Sequence, residues 1–243
     1  MLLAIDIGNT MTDFGRFEGG ELAHFHRTHS RADLSVEEAC LALSKGEGTI
    51  TDVVLSSVVP ALTKTYIDAC IACFGIEPRV VKPEADGGLT IRTDNPAEVG
   101  ADLLAAALGA KAIYDHSVII ADLGTASKVL LLDKDGAFAG CTIGTGIGLQ
   151  SKSLSGGAAL LPEVSPQIPN KILGKNTADC MNSALTYGNA FSIRALAEGI
   201  EKEAGYPCKR ILTGGYANVV KDLLPEFEYQ PHLVLCGLSQ IQK

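Results

Sequence analysis

A chain of 243 residues, 47% hydrophobic and 20% charged, has enough apolar material for one large domain or for two halves of about 120 residues on a shared core. Its net charge of -8, with no stripe of lysine or arginine, excludes a surface built for nucleic acid or for an anionic membrane. No apolar run reaches the roughly 18 residues of a membrane span, and MLLAIDIGNT has neither a basic leader nor a small-residue cleavage site, so a cytoplasmic protein is expected.

Residues 1–5 form a short apolar run that predicts a strand; Asp6-Ile7-Gly8-Asn9-Thr10 follows, and a second strand-like stretch ends at the turn Glu18-Gly19-Gly20. His24, His26 and His29 alternate along the next strand and run off into a polar loop, which fits a solvated sheet edge better than a metal site. SVEEACLALSKG then reads as a helix, TDVVLSSVV as a strand, ALTKTYIDACIACFG as a helix and EPRVVKP as a strand. Cys70 and Cys73 form a CxxC in the second of these helices, but no second pair or nearby His completes a zinc site, so core packing is the expectation. Seven scattered cysteines, an odd number, fit reduced thiols.

After Gly100 comes a run of strong helix formers in which Asp102 is the only ionisable side chain before Lys111. A carboxylate in the first turn of a helix meets the positive end of its dipole, and local pattern alone ranks that role ahead of catalysis. A buried carboxylate is nevertheless costly unless it is paired, capped or used, so the catalytic reading stays open.

The opening pattern then returns. Residues 117–121 are apolar, Asp122-Leu123-Gly124-Thr125-Ala126 follows, then SKVLLLD and a turn at Lys134-Asp135-Gly136. Asp6 matches Asp122, Gly8 matches Gly124, Thr10 matches Ala126 and Gly20 matches Gly136, all at one offset, which marks an internal duplication of a strand, an acidic glycine turn and a hairpin. Beyond it lie a glycine-rich turn, helical stretches over 184–204, a strand at KRILTGG and a last helix-like segment, HLVLCGLSQIQK, with an apolar face. The alternation predicts an α/β fold of two similar halves, 1–115 and 116–243, with a ligand site in the cleft between them.

An Asp directly after a buried strand, followed two residues later by Gly, suits a phosphate turn. Glycine admits close approach, amide N–H groups face the oxyanions, and the carboxylate holds a metal or its waters. One copy could be an ordinary hairpin; two copies in duplicated halves argue against that. Gly214-Gly215, after the apolar stretch 210–213, fits a turn passing close to a nucleotide base or ribose.

Two such hairpins and a late strand-Gly-Gly turn resemble the actin-like and sugar-kinase ATPase superfamily, with its ribonuclease H-like halves. AIDIGNTMTDFGRFEGG, SSVVPALT, DNPAEVGADL, ADLGTASKV, GKNTADCMNSA and ILTGGYA, in that order, resemble the type III pantothenate kinases over essentially the whole chain. The resemblance implies transfer of a phosphoryl group from ATP to pantothenate, the first step toward coenzyme A, in a homodimer using Mg2+ and a monovalent cation, K+ or NH4+. It assigns the first ATP phosphate loop to Asp6, Ile7, Gly8, Asn9, Thr10, Met11, Thr12 and Asp13, with Asp6 near Mg2+, and places Thr125, Gly214 and Gly215 at the nucleotide. Asp122 would hold the monovalent cation. Thr93, Gly100, Ala101, Asp102, Leu103 and Thr177 would line the pantothenate site, with Asp102 as general base, the one carboxylate that such a reaction needs.

Departures cluster on the acceptor side. Leu103 stands where the family pattern has Arg, Thr93 where it has Tyr, Thr145-Gly146 where it has Pro-Gly, and Ala158 where it has Thr. A guanidinium at 103 would clamp the acceptor's carboxylate, a charge-assisted contact of roughly 1.5–3 kcal/mol; Arg92 is a candidate replacement. The pattern leaves open a kinase for another acceptor, or a non-catalytic paralogue similar to Bvg accessory factor.

Overall fold

Both faces of the first strand are covered, which is why its sequence is a continuous apolar run and not an alternating one. In the computed structural model, which describes residues 1–82 and 88–241, β1 (Leu2–Ile7) forms a hairpin with β2 (Met11–Glu18), and β3 (Glu21–His29) extends it antiparallel. Pro83, at the end of one expected strand, and Gln242 and Lys243, at the end of the expected last helix, lie outside the described residues. On one face Leu3, Ile5, Ile7 and Phe14 pack against α1 (Val36–Leu43) and α2 (Pro60–Phe74). Ser35 and Glu38 close a capping box on α1, and α2 starts on Pro60 and stops at Gly75, whose φ of 67° is left-handed. β4 (Asp52–Ser57) lies parallel to β1 and pairs with β5 (Arg79–Val80), giving the order β3-β2-β1-β4-β5.

The opposite face, through Ala4 and Val54, packs against Ala101, Leu104, Ala105 and Leu108 of α3 (Ala101–Ile113). Nine of its thirteen residues are buried, so α3 lacks the polar stripe of a surface helix.

The second unit repeats the sheet. β6 (Val118–Leu123), β7 (Ala126–Leu132) and β8 (Phe138–Thr145) form the antiparallel part; α4 (Ile147–Gly157), α5 (Thr177–Ser183) and α6 (Asn189–Ala204) follow. A single π-helical turn, Ala184–Gly188, joins the last two helices. β9 (Lys209–Thr213) runs parallel to β6, and after α7 (Ala217–Val220) β10 (Glu228–Tyr229) completes the order β10-β9-β6-β7-β8, the first sheet read in reverse. Ile119, Ala121 and Leu123 pack with Ile193 and Ala197 of α6 and with Ala217 and Val220 of α7.

The duplication is less even than its glycines suggest. In the first hairpin Ile7 faces Thr12 across the turn, whereas in the second Leu123 faces Ser127, so the second turn is one residue shorter. The following turn, around Gly136, restores the offset. Between them every cross-strand partner is shifted by one. Asp6 therefore stands opposite Asp13, whereas Asp122 stands opposite Lys128.

The chain divides into two compact units, Met1–Asp115 with the chain from Leu233 onward, and His116–His232. The sequence counts the final segment within 116–243 but leaves open which half its apolar face packs on; α8 (Leu233–Gln240) lies on α3 in the first unit, with Leu235 and Leu238 in the same core as Ala4. Paired glycines are the cause. A Cβ on Gly237 would stand 1.7 Å from the Ala105 carbonyl oxygen, and one on Gly109 would stand 2.3 Å from that of Leu233. The helices meet backbone to backbone.

β3 is a sheet edge, yet its histidines differ from the solvated row expected. The His26 ring stacks on fully buried Phe14 at 4.4 Å, and burial pushes its imidazole down to about 4, the nearby charges of Lys45, His24 and Arg16 adding to the effect; His29 alone is exposed. Inward facing follows from the alternation itself, since a strand beside an apolar helix pair must turn one of its rows inward. None of the seven cysteines forms a disulfide; Cys70 is buried, its thiol pushed up to about 12 by desolvation, whereas Cys73 is exposed. Among the described residues no helix is long and apolar enough to cross a membrane, and no three His, Cys, Asp or Glu side chains form a metal-holding group.

Candidate active site

In the first hairpin the Gly8 N–H donates to the Met11 carbonyl at 2.9 Å, and a Cβ on Gly8 would come within 3.0 Å of the same oxygen. The turn is thus drawn tight at Gly8, with Asn9 and Thr10 exposed at its tip. Ser30, just past β3, braces it from outside. Its hydroxyl donates to the Gly8 carbonyl at 2.7 Å and bonds the buried Thr12 hydroxyl at 2.9 Å, while its N–H donates to the Thr10 carbonyl. No sequence motif ties Ser30 to a turn so far upstream; the β2–β3 pairing brings it there.

Asp6 and Asp13 share a strand pair, but their surroundings differ. Arg27, opposite Asp13 on β3, makes a two-pronged ion pair with it through Nε and Nη2. Asp13, expected among the phosphate-loop residues, is held in this ion pair. Asp6 sits beside Ser56 of β4, whose hydroxyl is fully buried and has no hydrogen-bond partner. Ser56 was not singled out in the sequence because SSVV reads as an ordinary strand; a buried hydroxyl without a partner next to a carboxylate is the signal that structure adds.

Asp6 lies on the sheet face of Ala4, the face that α3 covers. Gly100 is the N-cap of α3 and offers no side chain to the first turn; Asp102 instead accepts the Leu103 N–H at 2.9 Å. The carboxylate folds back over Gly100, where a Cβ would lie 2.5 Å from Oδ1. Helix-terminus stabilisation and a fixed, half-buried carboxylate are therefore the same arrangement. Leu103 is 5% exposed, a buried apolar residue of α3, and Arg92 is exposed. Thr93 is half-buried, with an unpartnered hydroxyl.

In the second unit three glycine turns meet. Gly124 donates to the Ala126 carbonyl at 3.0 Å, and Gly146, N-cap of α4, donates to that of Thr125 at 3.1 Å; a Cβ on Gly146 would come within 2.4 Å of the Gly124 and Thr125 oxygens. Gly214, at φ 92°, lies against Asp122, and a Cβ there would be 2.5 Å from its Oδ1. Tyr216 donates its N–H to the Leu123 carbonyl, and its hydroxyl covers Gly148 of α4. Only hydrogen fits at Gly146, Gly148 and Gly214, so the chain packs tightly around Thr125. The uncapped start of α4 adds N–H donors and the positive end of a helix dipole to this cradle. Gly146 and Tyr216 escaped sequence reasoning because a single glycine or tyrosine bears no motif.

Asp122 is buried and forms an ion pair with Lys128 at 2.9 Å, both side chains about nine-tenths covered. Thr177 is exposed at the head of α5, where Asn176 caps the helix by accepting the Asp179 N–H. Beside it a hollow of about 490 Å³ is lined by Lys171, Lys175 and Asp179, among others. The π-helical turn follows, and just after it the first residue of α6, Asn189, is fastened to α4 by reciprocal amide bonds with Gln150. Such turns, which insert a residue into a helix, are common at functional sites.

Two mixed sheets of the same order, each opening on an acidic glycine hairpin, define the duplicated actin-like ATPase fold with ribonuclease H-like halves. Solved structures share it. A Baf family transcriptional activator from Campylobacter jejuni aligns with TM-score 0.61 and 19% identity over 97% of this chain and 94% of that one. The activator of 2-hydroxyisocaproyl-CoA dehydratase from Clostridium difficile, solved with bound ADPNP, aligns with TM-score 0.51 and 12% identity over 98% and 92%. At such identities the likeness speaks for the fold alone.

The sequence is more specific. Residues 2–199 match the family described as type III pantothenate kinase. Proteins named type III pantothenate kinase from Thermomicrobium roseum and Desulfosudis oleivorans are each 36% identical, the first over 98% of this chain and 95% of its own, the second over 99% and 98%. The chain belongs to the type III pantothenate kinase family.

Proposed function

We propose that this protein transfers the γ-phosphoryl group of ATP to the primary hydroxyl of pantothenate, giving 4'-phosphopantothenate, and does so as a cytoplasmic homodimer. The observation that carries the reading is Asp102, a carboxylate folded over a glycine at the head of a buried helix, on the sheet face that also bears Asp6. Phosphoryl transfer asks little covalent chemistry of a protein. It needs phosphates held in line, charge neutralised, and one base for the hydroxyl proton.

In this reading the tight turn 8–10 of the first unit offers backbone N–H groups to phosphate oxygens, and so, in the second unit, does the glycine cradle around Thr125, Gly146 and Gly214, with Gly215 at the nucleoside. Asp6, an oxygen donor at a strand end beside a phosphate turn, fits Mg2+, which takes one or two carboxylates and fills its remaining positions with water and phosphate. Bound there, Mg2+ supplies charge neutralisation on the phosphates. Asp102 accepts the hydroxyl proton, and Thr93 and Ala101 of the same unit contact the acceptor. A monovalent cation at Asp122 does not fit this chain, because the Lys128 ammonium is already on that carboxylate.

A coupled assay with ATP, Mg2+ and pantothenate tests the assignment. Asp102→Asn is expected to lower kcat by about 100- to 10,000-fold, the usual contribution of a general base; a variant within fivefold of the native enzyme would remove Asp102 from the chemistry. A second reading, a kinase for an acceptor without a carboxylate, is favoured by Leu103, which is packed away where a guanidinium would have bound one. Turnover of another small alcohol, with none of pantothenate, would select it.

A further inference from the structure

The two hairpins place different chemistry at equivalent points. In the first, the strand-end carboxylate faces a second carboxylate, Asp13, whose charge is met by Arg27 from the neighbouring strand. In the second, the one-residue contraction of the turn puts Lys128 directly opposite Asp122, on the same face, and the ammonium closes on Oδ2 at 2.9 Å. Oδ1 of the same carboxylate is covered by the backbone of Gly214. With 12% of the lysine side chain and 10% of the aspartate side chain exposed, the pair is shielded from water.

We propose that the Lys128 ammonium is the built-in monovalent cation of the second phosphate turn, so that nucleotide binding and turnover by this protein do not depend on K+ or NH4+. The inference rests on the reading of Asp122 as the cation-holding carboxylate beside ATP. A primary ammonium has the charge of K+ and the hydrogen-bonding chemistry of NH4+, and its tether keeps it beside Asp122 whatever ion the buffer holds. A free cation could reach Asp122 only by displacing Lys128 from its ion pair or by lying against a like charge in a poorly screened site. Neither is favourable. Lys128 also braces the Asp122 carboxylate against Gly214, which ties the second hairpin to the Gly214-Gly215 turn.

The test measures three quantities in KCl, NH4Cl and tetramethylammonium chloride at one ionic strength: the melting temperature without nucleotide, the Kd for a non-hydrolysable ATP analogue with Mg2+, and the turnover of pantothenate. For the native protein all three are expected to agree across the salts, within twofold for Kd and kcat/KM and within about a degree in melting temperature. Lys128→Met keeps the length of the side chain and removes its charge. It is expected to bind the analogue at least tenfold more weakly in tetramethylammonium and to recover severalfold in K+ or NH4+. Native protein that gains tenfold in affinity or turnover with K+ or NH4+, or a melting temperature raised specifically by either ion, overturns the proposal even if the variant fails to fold. Cation-independent nucleotide binding without pantothenate turnover supports it and counts instead against the choice of acceptor.

Discussion

Substituting Gly100 by alanine separates a catalytic carboxylate from a merely capping one. The backbone there, φ -64° and ψ 146°, is open to any residue, so no strain arises from the chain itself. The added methyl would stand 2.5 Å from Asp102 Oδ1, about 0.9 Å short of the 3.4 Å at which ordinary contact begins. The atom in the way is the tip of a side chain and not a backbone atom, so the carboxylate swings aside and the fold is spared. Two costs follow. Loss of the Leu103 N–H contact and the poorer N-cap together destabilise by about 1–2 kcal/mol. Displacing a base by nearly 1 Å from its proton lowers kcat by roughly 10- to 100-fold. The coupled kinase assay should show that loss, while urea unfolding shows a shift of no more than about 2 kcal/mol. Gly100→Ala combined with Asp102→Asn should be no slower than Asp102→Asn alone, since both act through one group. A single variant with kcat within twofold of native, or one unfolded outright, would refute the reasoning.

Gly237→Ala should act the other way, on stability first. The 1.7 Å approach to the Ala105 carbonyl forces α8 off α3 and exposes part of Leu235 and Leu238, a loss of about 3–5 kcal/mol that lowers the urea midpoint and opens the C-terminal helix to protease; an unchanged midpoint would show that the helices do not cross at these glycines. The pH dependence of stability should report His26. Its folded pKa of about 4 lies below the ordinary 6.5, so the folded state binds fewer protons between those values, and stability present above pH 6.5 falls as the pH drops toward 4. Between pH 6.5 and 5 the native protein should lose about 1–2 kcal/mol more than His26→Gln does. Parallel unfolding-versus-pH curves for the two would contradict the buried, neutral imidazole.

Much of the fold follows from local pattern because the duplicated hairpins state it twice. The runs at 1–5 and 117–121 are apolar on both faces, and the glycines after each Asp mark where the strand must turn. What pattern could not supply was register. The shared offset of Gly8 with Gly124 and Gly20 with Gly136 hides two compensating single-residue changes, and only the pairing of Asp122 with Lys128 exposes them. The placement of α8 was equally hidden, because an apolar helix face does not name its partner, and the glycines that select α3 lie far apart in the chain. Asp6, Gly8, Asp102 and Thr125 are the candidates that motifs single out. Ser30, Ser56 and Tyr216 were missed because each acts through one hydrogen bond, or one empty valence, that only tertiary structure creates.

The crossing of α3 with α8 also orders the birth of the molecule. His116–His232 is one continuous stretch, whereas the first unit is completed by α8, which is synthesised after all of the second. Until then the buried face of α3, with Asp102 at its head, lacks the partner that covers Ala105 and Gly109. A nascent or truncated chain ending before Leu233 therefore exposes an apolar helix and sheet face. Such a chain is a substrate for chaperones and proteases before it can be an enzyme.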